Sequence, residues 1–207
     1  TVTGVQTCAL PICGARVILV RPAPVPGING PRSFALPEFD PFWERVQAAD
    51  VLVGMHASDS GYQRYMNEWE GQYDEFTPFQ GQSGFGAIVG HMSRPIVDTI
   101  SSAIGHGLCT RFPGLKIAPV ENGSGWVRPL MAAMADAYRF APNAFDEDPV
   151  VAFKRNIFVH PFHEENPLAL AEAIGVDHVL FGSDYPHPEG LDRKSTRLNS
   201  SHSSVSR

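Results

Sequence analysis

The sequence predicts an α/β fold that forms part of a TIM (β/α)8 barrel, and two observations support this prediction. Short β-branched or apolar runs alternate about five times with segments of helical periodicity, which implies right-handed crossovers and parallel strands. Several apolar runs end in a His, Glu or Asp, and in a barrel the carboxyl ends of all strands face one mouth. An open doubly wound sheet also fits the alternation, but no complete Gly-rich phosphate loop follows any predicted strand.

The fold prediction does not include the two ends of the chain. Residues 2–12, VTGVQTCALPI, and 192–202, DRKSTRLNSSH, resemble in-frame translations of sequencing-adapter DNA. We therefore expect residues 1–12 and 192–207 to be artefacts, the latter disordered, and residues 13–191 to be the native part of a longer gene product. The alternative is a genuine N-terminal strand and a genuine polar tail.

The first predicted strand is Ala15–Ala23, an apolar and β-branched run that ends among prolines. After a loop rich in Gly and Pro, a helix is predicted to begin at Asp40-Pro41, with Asp40 as the N-cap and Pro41 in the first turn. The second strand is predicted over Asp50–His56, so that His56 stands at its carboxyl end.

Residues 57–93 form a long connection that is acidic and aromatic. Connections of this length are uncommon in compact domains and are usually functional, so we interpret the segment as a lid or as the inter-subunit arm of a homo-oligomer. The alternative is an ordinary excursion that packs around its own small apolar cluster. The aromatic residues of the segment are Tyr62, Tyr65, Trp69, Tyr73, Phe76, Phe79 and Phe85.

Three more strands are predicted in the second half of the chain, over Leu115–Val120, Asn156–Val159 and Val179–Phe181. Glu121 follows the first of them, His160 follows the second, and Asp184 follows the third within LFGSDYPHPEGL. A carboxylate at the end of a buried strand needs a metal or a proton-transfer partner, because an unpaired buried charge is costly. Helices are predicted over Arg94–Arg111, Trp126–Phe140, Asp148–Arg155 and Leu168–Ile174.

The charge and the cysteine content of the chain indicate which binding partners and which cellular compartment to expect. The formal net charge is −6, and residues 13–191 are more acidic still, because residues 192–207 contribute four basic residues and one acid. An acidic surface argues against nucleic acid and anionic membranes as partners. No stretch approaches the ~18 uninterrupted apolar residues of a transmembrane helix. Of three cysteines, only Cys109 lies clear of the adapter-like end, so no disulfide framework is expected and a cytoplasmic location is the default.

Three segments resemble the amidohydrolase-related family, the group of metal-dependent barrels that includes aminocarboxymuconate-semialdehyde decarboxylase. They are FDPFWERVQAADVLVGMH, RFPGLKIAPVENGSGW and FGSDYPHPEGL, and the resemblance covers nearly all of Ala15–Leu191. It implies that the chain holds about the last five β/α units, with a divalent metal, usually zinc, at the C-terminal mouth of the barrel. Asp184 matches the late-strand Asp ligand of the family, and His56 matches its mid-barrel His ligand.

The chain departs from the family pattern in two places. The paired His-x-His of the first barrel strand has no counterpart here, which fits the loss of the N-terminal strands. Glu121, in VENGSG, stands where many members carry a second His in an AHGG-like segment. Metal binding therefore depends on whether Glu121 can replace that imidazole.

The residue types themselves suit a catalytic metal site. Such a site uses neutral imidazole and carboxylate ligands and keeps one position open for water. We assign His56 as a metal ligand, Asp184 as a metal ligand or the general base, and Glu121 as a metal ligand or an acid or base beside the ligands. His160 and His163 are candidates for contact with a substrate carboxylate. The alternative for each is a structural polar residue; Glu121, for example, would bond the Gly-rich turn that follows it.

The leading functional prediction is a hydrolase that uses metal-activated water on a small amide, lactone or related carbonyl substrate. The nearest alternative is a non-oxidative decarboxylase of an aromatic or unsaturated acid on the same scaffold. An alternative of another class is an inactive fragment, because a barrel without its first strands has unpaired edges and lacks the His-x-His ligands. A phosphate-binding doubly wound module is disfavoured by the missing Gly-rich turn.

Overall fold

The computed structural model describes residues 14–56, 62–71, 83–91, 93–162 and 165–182. Within these residues, three strands form a parallel sheet: Val17–Leu19 (β1), Leu52–His56 (β2) and Lys116–Val120 (β3). The strands lie side by side in chain order, with Val17 paired to Leu52 and Leu52 paired to Lys116. β2 lies between the other two, and its three middle residues are buried.

Two isolated parallel bridges continue this order. Ile157 pairs with Ile117 of β3, and Val159 pairs with Val179. Five parallel segments therefore follow one another in space as they do in the sequence, which is the arrangement of a barrel. A doubly wound sheet would instead reverse its strand order at the switch point. The prediction of a partial barrel with parallel strands is confirmed.

The fourth and fifth predicted strands are shorter than expected. The fourth takes part in two isolated bridges, at Ile157 and at Val159, and the fifth in one, at Val179, so neither forms a strand of several residues. The fourth segment is confined between the helix that ends at Asn156 and Pro161, whose ring nitrogen cannot donate a hydrogen bond. The first strand is also shorter than its predicted range, since it covers only Val17–Leu19.

The α-helices of the described residues are named here in chain order. They are Asp40–Ala48 (α1), Tyr62–Glu70 (α2), Gly84–His91 (α3), Arg94–Gly105 (α4), Leu108–Arg111 (α5), Val127–Phe140 (α6), Pro149–Asn156 (α7) and Pro167–Ile174 (α8). Short 3-10 helices lie at Pro37–Phe39, Pro142–Ala144 and Val176–His178. α7 and α8 begin with side-chain caps, because Asp148 and Asn166 accept hydrogen bonds from backbone N–H groups of their first turns.

Two helix predictions need correction. Asp40 is the first residue of α1 rather than its N-cap, and its carboxylate accepts hydrogen bonds from the guanidinium of Arg111 instead. The helix predicted over Arg94–Arg111 is divided into α4 and α5. The chain turns between them at Gly107, which adopts a φ of +72°, a conformation that glycine tolerates and other residues rarely adopt.

The connection over residues 57–93 contains helices α2 and α3 in its described parts. The aromatic residues of α2 recur at helical spacing, so their rings share one face. The ring of Trp69 lies 6.4 Å from Tyr65 and 6.0 Å from Phe85 of α3, which links the two helices. Both interpretations of the segment, the lid or arm and the ordinary excursion, stay predictions.

The hydrophobic core lies between the sheet and the helices. Val53 and Met55 of β2 and Ile117 of β3 are fully buried in it. Large buried side chains of the helices complete the core, namely Trp43, Ile96, Ile100, Leu108, Val127 and Phe153. Asn156 is a fully buried polar residue, and its amide donates to backbone oxygens that include that of Leu115 at 2.6 Å. Within the described residues, no helix is long and apolar enough to cross a membrane.

Candidate active site

His56 and Glu121 lie together at the carboxyl ends of neighbouring strands. His56 is the last residue of β2 and pairs with Val120, the last residue of β3, so that Glu121 follows directly. Nε2 of His56 lies 2.9 Å from Oε1 of Glu121, which is hydrogen-bond distance. Their side chains are 43% and 31% exposed, so water and a small ligand can reach both groups.

The backbone of Glu121 adopts a conformation that is uncommon for a residue with a side chain. Its φ of 55° lies in the left-handed region. Such a conformation persists where the surrounding structure enforces it, and it is frequent at functional sites. At Glu121 it begins the turn that leads from β3 to α6.

Two polar residues hold this turn. Nδ2 of Asn122 donates to the backbone oxygens of Met55 at 3.1 Å and of Val120 at 2.7 Å. The carboxylate of Glu165 accepts hydrogen bonds from three backbone N–H groups, those of Ser124, Gly125 and Phe162. Neither Asn122 nor Glu165 is among the site residues predicted from the sequence. For Asn122 a signal was present, namely an amide placed directly after a strand end; for Glu165 there was none.

His160 lies at the end of the fourth parallel segment. Its Nε2 is 3.2 Å from the backbone oxygen of Gly182. If Nε2–H donates to that oxygen, Nδ1 is the bare acceptor of the neutral ring, and Nδ1 is buried without a partner among the described residues. This hydrogen bond of His160 runs to the segment that precedes Asp184 rather than to His56 or Glu121.

The remaining candidates divide into two groups. Asp184 and His163 lie outside the described residues. Their predicted roles therefore stay predictions. His178, by contrast, is structural: its ring stacks on Phe158 with centroids 4.4 Å apart, and its Nδ1 lies 3.1 Å from the backbone oxygen of Ile157.

An open cleft of about 660 Å³ adjoins the turn after Glu121. Arg94 of α4 lines it, and the Arg94 guanidinium lies 5.0 Å from the centroid of the Tyr65 ring. Asp98, one turn along α4, accepts a hydrogen bond from the Tyr62 hydroxyl, and burial raises the pKa of the Asp98 carboxyl. The apolar wall consists of Val97, Trp126, Pro129, Leu130, Ala133 and Phe162.

Comparison with protein families gives a match over nearly the whole chain. Residues 13–199 match the family model described as Amidohydrolase. The chain belongs to the amidohydrolase family. This result confirms the family that the three sequence segments indicated. No curated protein sequence matches this amidohydrolase.

Solved structures show the same relationship. The chain is similar to an amidohydrolase from Mycobacterium avium subsp. paratuberculosis K-10, with 40% identity, a TM-score of 0.81, and coverage of 90% of this chain and 46% of that one. It is also similar to 2,6-dihydroxybenzoate decarboxylase from Rhizobium, with 20% identity, a TM-score of 0.65, and coverage of 94% and 58%. A dihydroxybenzoic acid decarboxylase from Polaromonas sp. JS666, solved with bound manganese and the inhibitor 2-nitroresorcinol, gives 20% identity, a TM-score of 0.59, and coverage of 98% and 59%. This amidohydrolase therefore spans about half the length of these relatives.

The side chains of His56 and Glu121 carry donor atoms of the types that bind divalent cations. An imidazole nitrogen and a carboxylate oxygen are ligands that zinc and manganese accept. Within residues 14–56, 62–71, 83–91, 93–162 and 165–182, no group of three His, Cys, Asp or Glu could hold a metal. A site with three protein ligands therefore needs a further donor, and the predicted one is Asp184.

Proposed function

We propose that this amidohydrolase is a metal-dependent hydrolase of a small amide, lactone or related carbonyl substrate. The observation that carries the proposal is the 2.9 Å contact between His56 and Glu121. The two residues stand at the carboxyl ends of parallel strands, the edge at which barrel enzymes build their active sites. Membership in the amidohydrolase family supports a catalytic role for this edge.

In the proposed site, His56, Glu121 and Asp184 hold a divalent cation, zinc or manganese. When bound, the cation would polarise the substrate carbonyl and lower the pKa of an attacking water toward ~7. His56 must keep Nε2 unprotonated to act as a ligand, and the open exposure of its ring leaves room for the cation.

Proton transfer is assigned to the carboxylates. A carboxylate within reach of the reacting water can accept its proton and deliver it to the leaving group. Asp184 is the proposed general base. Glu121 is the second candidate, because its carboxylate is both adjacent to His56 and accessible to solvent.

Decarboxylation of an aromatic acid is the second candidate function. The cleft that adjoins the turn after Glu121 supports it, because Trp126, Leu130 and Phe162 give the cleft an apolar and aromatic wall that suits a planar ring. Neither His56 nor Glu121 lines this cleft, so the substrate would have to extend from it to the pair. Two of the similar structures are decarboxylases of dihydroxybenzoic acids. In this reaction the substrate carboxylate leaves as CO₂, and a protein acid such as Glu121 would protonate the ring carbon.

Product analysis separates the two reactions. The purified chain is loaded with Zn²⁺ or Mn²⁺ and incubated with a panel of lactones and anilides, and separately with 2,6-dihydroxybenzoate. Hydrolysis adds one water and releases no CO₂, whereas decarboxylation releases CO₂ without consuming water. Turnover in neither arm would contradict both proposals.

A further inference from the structure

Asn122 bridges the two strand ends that carry the candidate site. Its amide donates to the backbone oxygen of Met55, the residue before His56, and to that of Val120, the residue before Glu121. One side chain thus joins β2 to β3 at the point where the backbone ladder of the two strands ends. Removal of this amide would leave two carbonyl oxygens without that donor.

Glu165 fixes the far side of the same turn. The N–H of Ser124 lies 2.9 and 2.8 Å from its two carboxylate oxygens, and the N–H groups of Gly125 and Phe162 lie 3.1 and 2.7 Å away. Hydrogen bonds to a charged acceptor are stronger than bonds between neutral groups. The indole N–H of Trp126 also donates to the oxygen of Gly123 at 2.9 Å, so the turn is held from several directions.

We propose that Asn122 and Glu165 are positioning residues that hold the Glu121 carboxylate against the His56 imidazole. The inference rests on the proposed function, in which Glu121 and His56 bind one ligand. Glu121 has a φ of 55°, which a non-glycine residue keeps only under external restraint. The bonds of Asn122 and Glu165 supply that restraint on the residues that follow it. Without them the turn relaxes, and the carboxylate leaves its position beside Nε2.

The test uses variants at both ends of the turn. Asn122→Ala removes the bridge to Met55, and Glu165→Ala removes the carboxylate that accepts three N–H groups. Glu165→Gln keeps the size of the side chain and one acceptor oxygen. Glu172→Ala is the matched control, because Glu172 is an exposed residue of α8 that lies 3.8 Å from Arg128.

Two readouts are compared with the wild-type chain. The first is the ¹H–¹⁵N NMR signature of the His56 imidazole in metal-free protein, with Glu121→Gln as the reference for a broken pair. The second is the affinity for Mn²⁺, measured by calorimetry. We expect Asn122→Ala and Glu165→Ala to shift the His56 resonances toward those of Glu121→Gln and to weaken Mn²⁺ binding about 10- to 100-fold. Added acetate, which can occupy the freed N–H groups, restores the Glu165→Ala resonances, and the control variant behaves as wild type.

Folded Asn122→Ala and Glu165→Ala proteins with wild-type His56 resonances and wild-type Mn²⁺ affinity would overturn the inference. If the alanine variants do not fold, Glu165→Gln decides it. Its amide keeps one acceptor oxygen and loses the other, so we expect its His56 resonances to shift part of the way toward those of Glu121→Gln, and unchanged resonances would overturn the inference. A wild-type chain that binds no Mn²⁺ contradicts the proposed metal site only. The NMR comparison needs no metal, so failure of the proposed function and failure of this inference are distinguishable.

Discussion

Nε2 of His56 lies 2.9 Å from Oε1 of Glu121, although the two residues come from different strands. The contact depends on the parallel register in which His56 pairs with Val120. A slip of one residue would turn the side chains of one strand to the opposite face of the sheet. The pair is therefore a consequence of the fold, and its chemistry can be tested by substitution.

Substitution of His56 is expected to weaken metal binding by this chain. His56→Ala removes an imidazole donor, so affinity for Zn²⁺ or Mn²⁺ should fall at least about 100-fold, which calorimetry can measure. His106→Ala is the control, because His106 is an exposed histidine in the turn between α4 and α5. Equal affinity of wild type and His56→Ala would show that the cation binds elsewhere.

The positions of His56 and Glu121 illustrate what local sequence can predict. Both residues end apolar runs, and the runs form strands β2 and β3 close to their predicted limits. Parallel strands expose their carboxyl ends on the same edge, so a topology inferred from alternation is enough to bring such residues near each other. The 2.9 Å distance itself follows from the register and from the conformation of Glu121, which the pattern does not specify.

Asn122 and Glu165 illustrate what local sequence does not predict. Their partners are backbone groups from distant segments, and a backbone N–H or C=O carries no residue-specific signal. Helix α2 is absent from the sequence predictions for a different reason.

Residues 57–93 are interpreted from their acidic and aromatic composition as one long connection. The helical spacing of Tyr62, Tyr65 and Trp69 within Tyr62–Glu70 is the signal that indicates the helix.

The ion pair of Arg155 and Glu147 is expected to make the free energy of unfolding depend on pH in the acidic range. Two hydrogen bonds of 2.8 and 2.7 Å join the guanidinium to the carboxylate, and they lower the pKa of Glu147 below its ordinary value of 4.5. The unfolded chain therefore binds a proton at higher pH than the folded chain does. The stabilisation is present above about pH 4.5 and is lost as the pH falls through the pKa of the folded state.

Urea unfolding between pH 7 and pH 3 measures this effect. Wild type should lose more unfolding free energy over that range than Glu147→Gln, which has no carboxyl to titrate. The difference should be modest, because both side chains are partly exposed and water screens the pair. Glu172→Gln is the control, with a pH profile expected to follow wild type. Parallel profiles for wild type and Glu147→Gln would refute the prediction.

The thiol of Cys109 is expected to be unreactive in the folded chain. Cys109 is fully buried, and burial raises its pKa to about 12. At pH 8 its thiolate fraction is then roughly a thousandfold lower than that of an ordinary exposed cysteine. Cys8 and Cys13 are replaced by Ser so that a single thiol remains. Ellman's reagent should label this variant only after denaturation, and rapid labelling of the native protein would count against the buried position.

Gly123 and Gly105 provide a matched pair of alanine substitutions with opposite expected effects. Gly123 has a φ of +60°, and a Cβ there would lie 2.7 Å from the Phe162 ring. Gly123→Ala should therefore destabilise the fold by about 1–3 kcal/mol, since neither the backbone nor the ring can accommodate it without a shift. Gly105 ends α4, and a Cβ there meets no atom within 4 Å. Gly105→Ala should raise the free energy of unfolding by about 0.4–1 kcal/mol, because it reduces the conformational freedom of the unfolded chain.

Urea denaturation measures both changes in stability. The affinity for Mn²⁺ should fall only in Gly123→Ala, because its turn follows Glu121. If both variants showed the same stability and affinity, the turn after β3 would not be under the restraint that its geometry indicates.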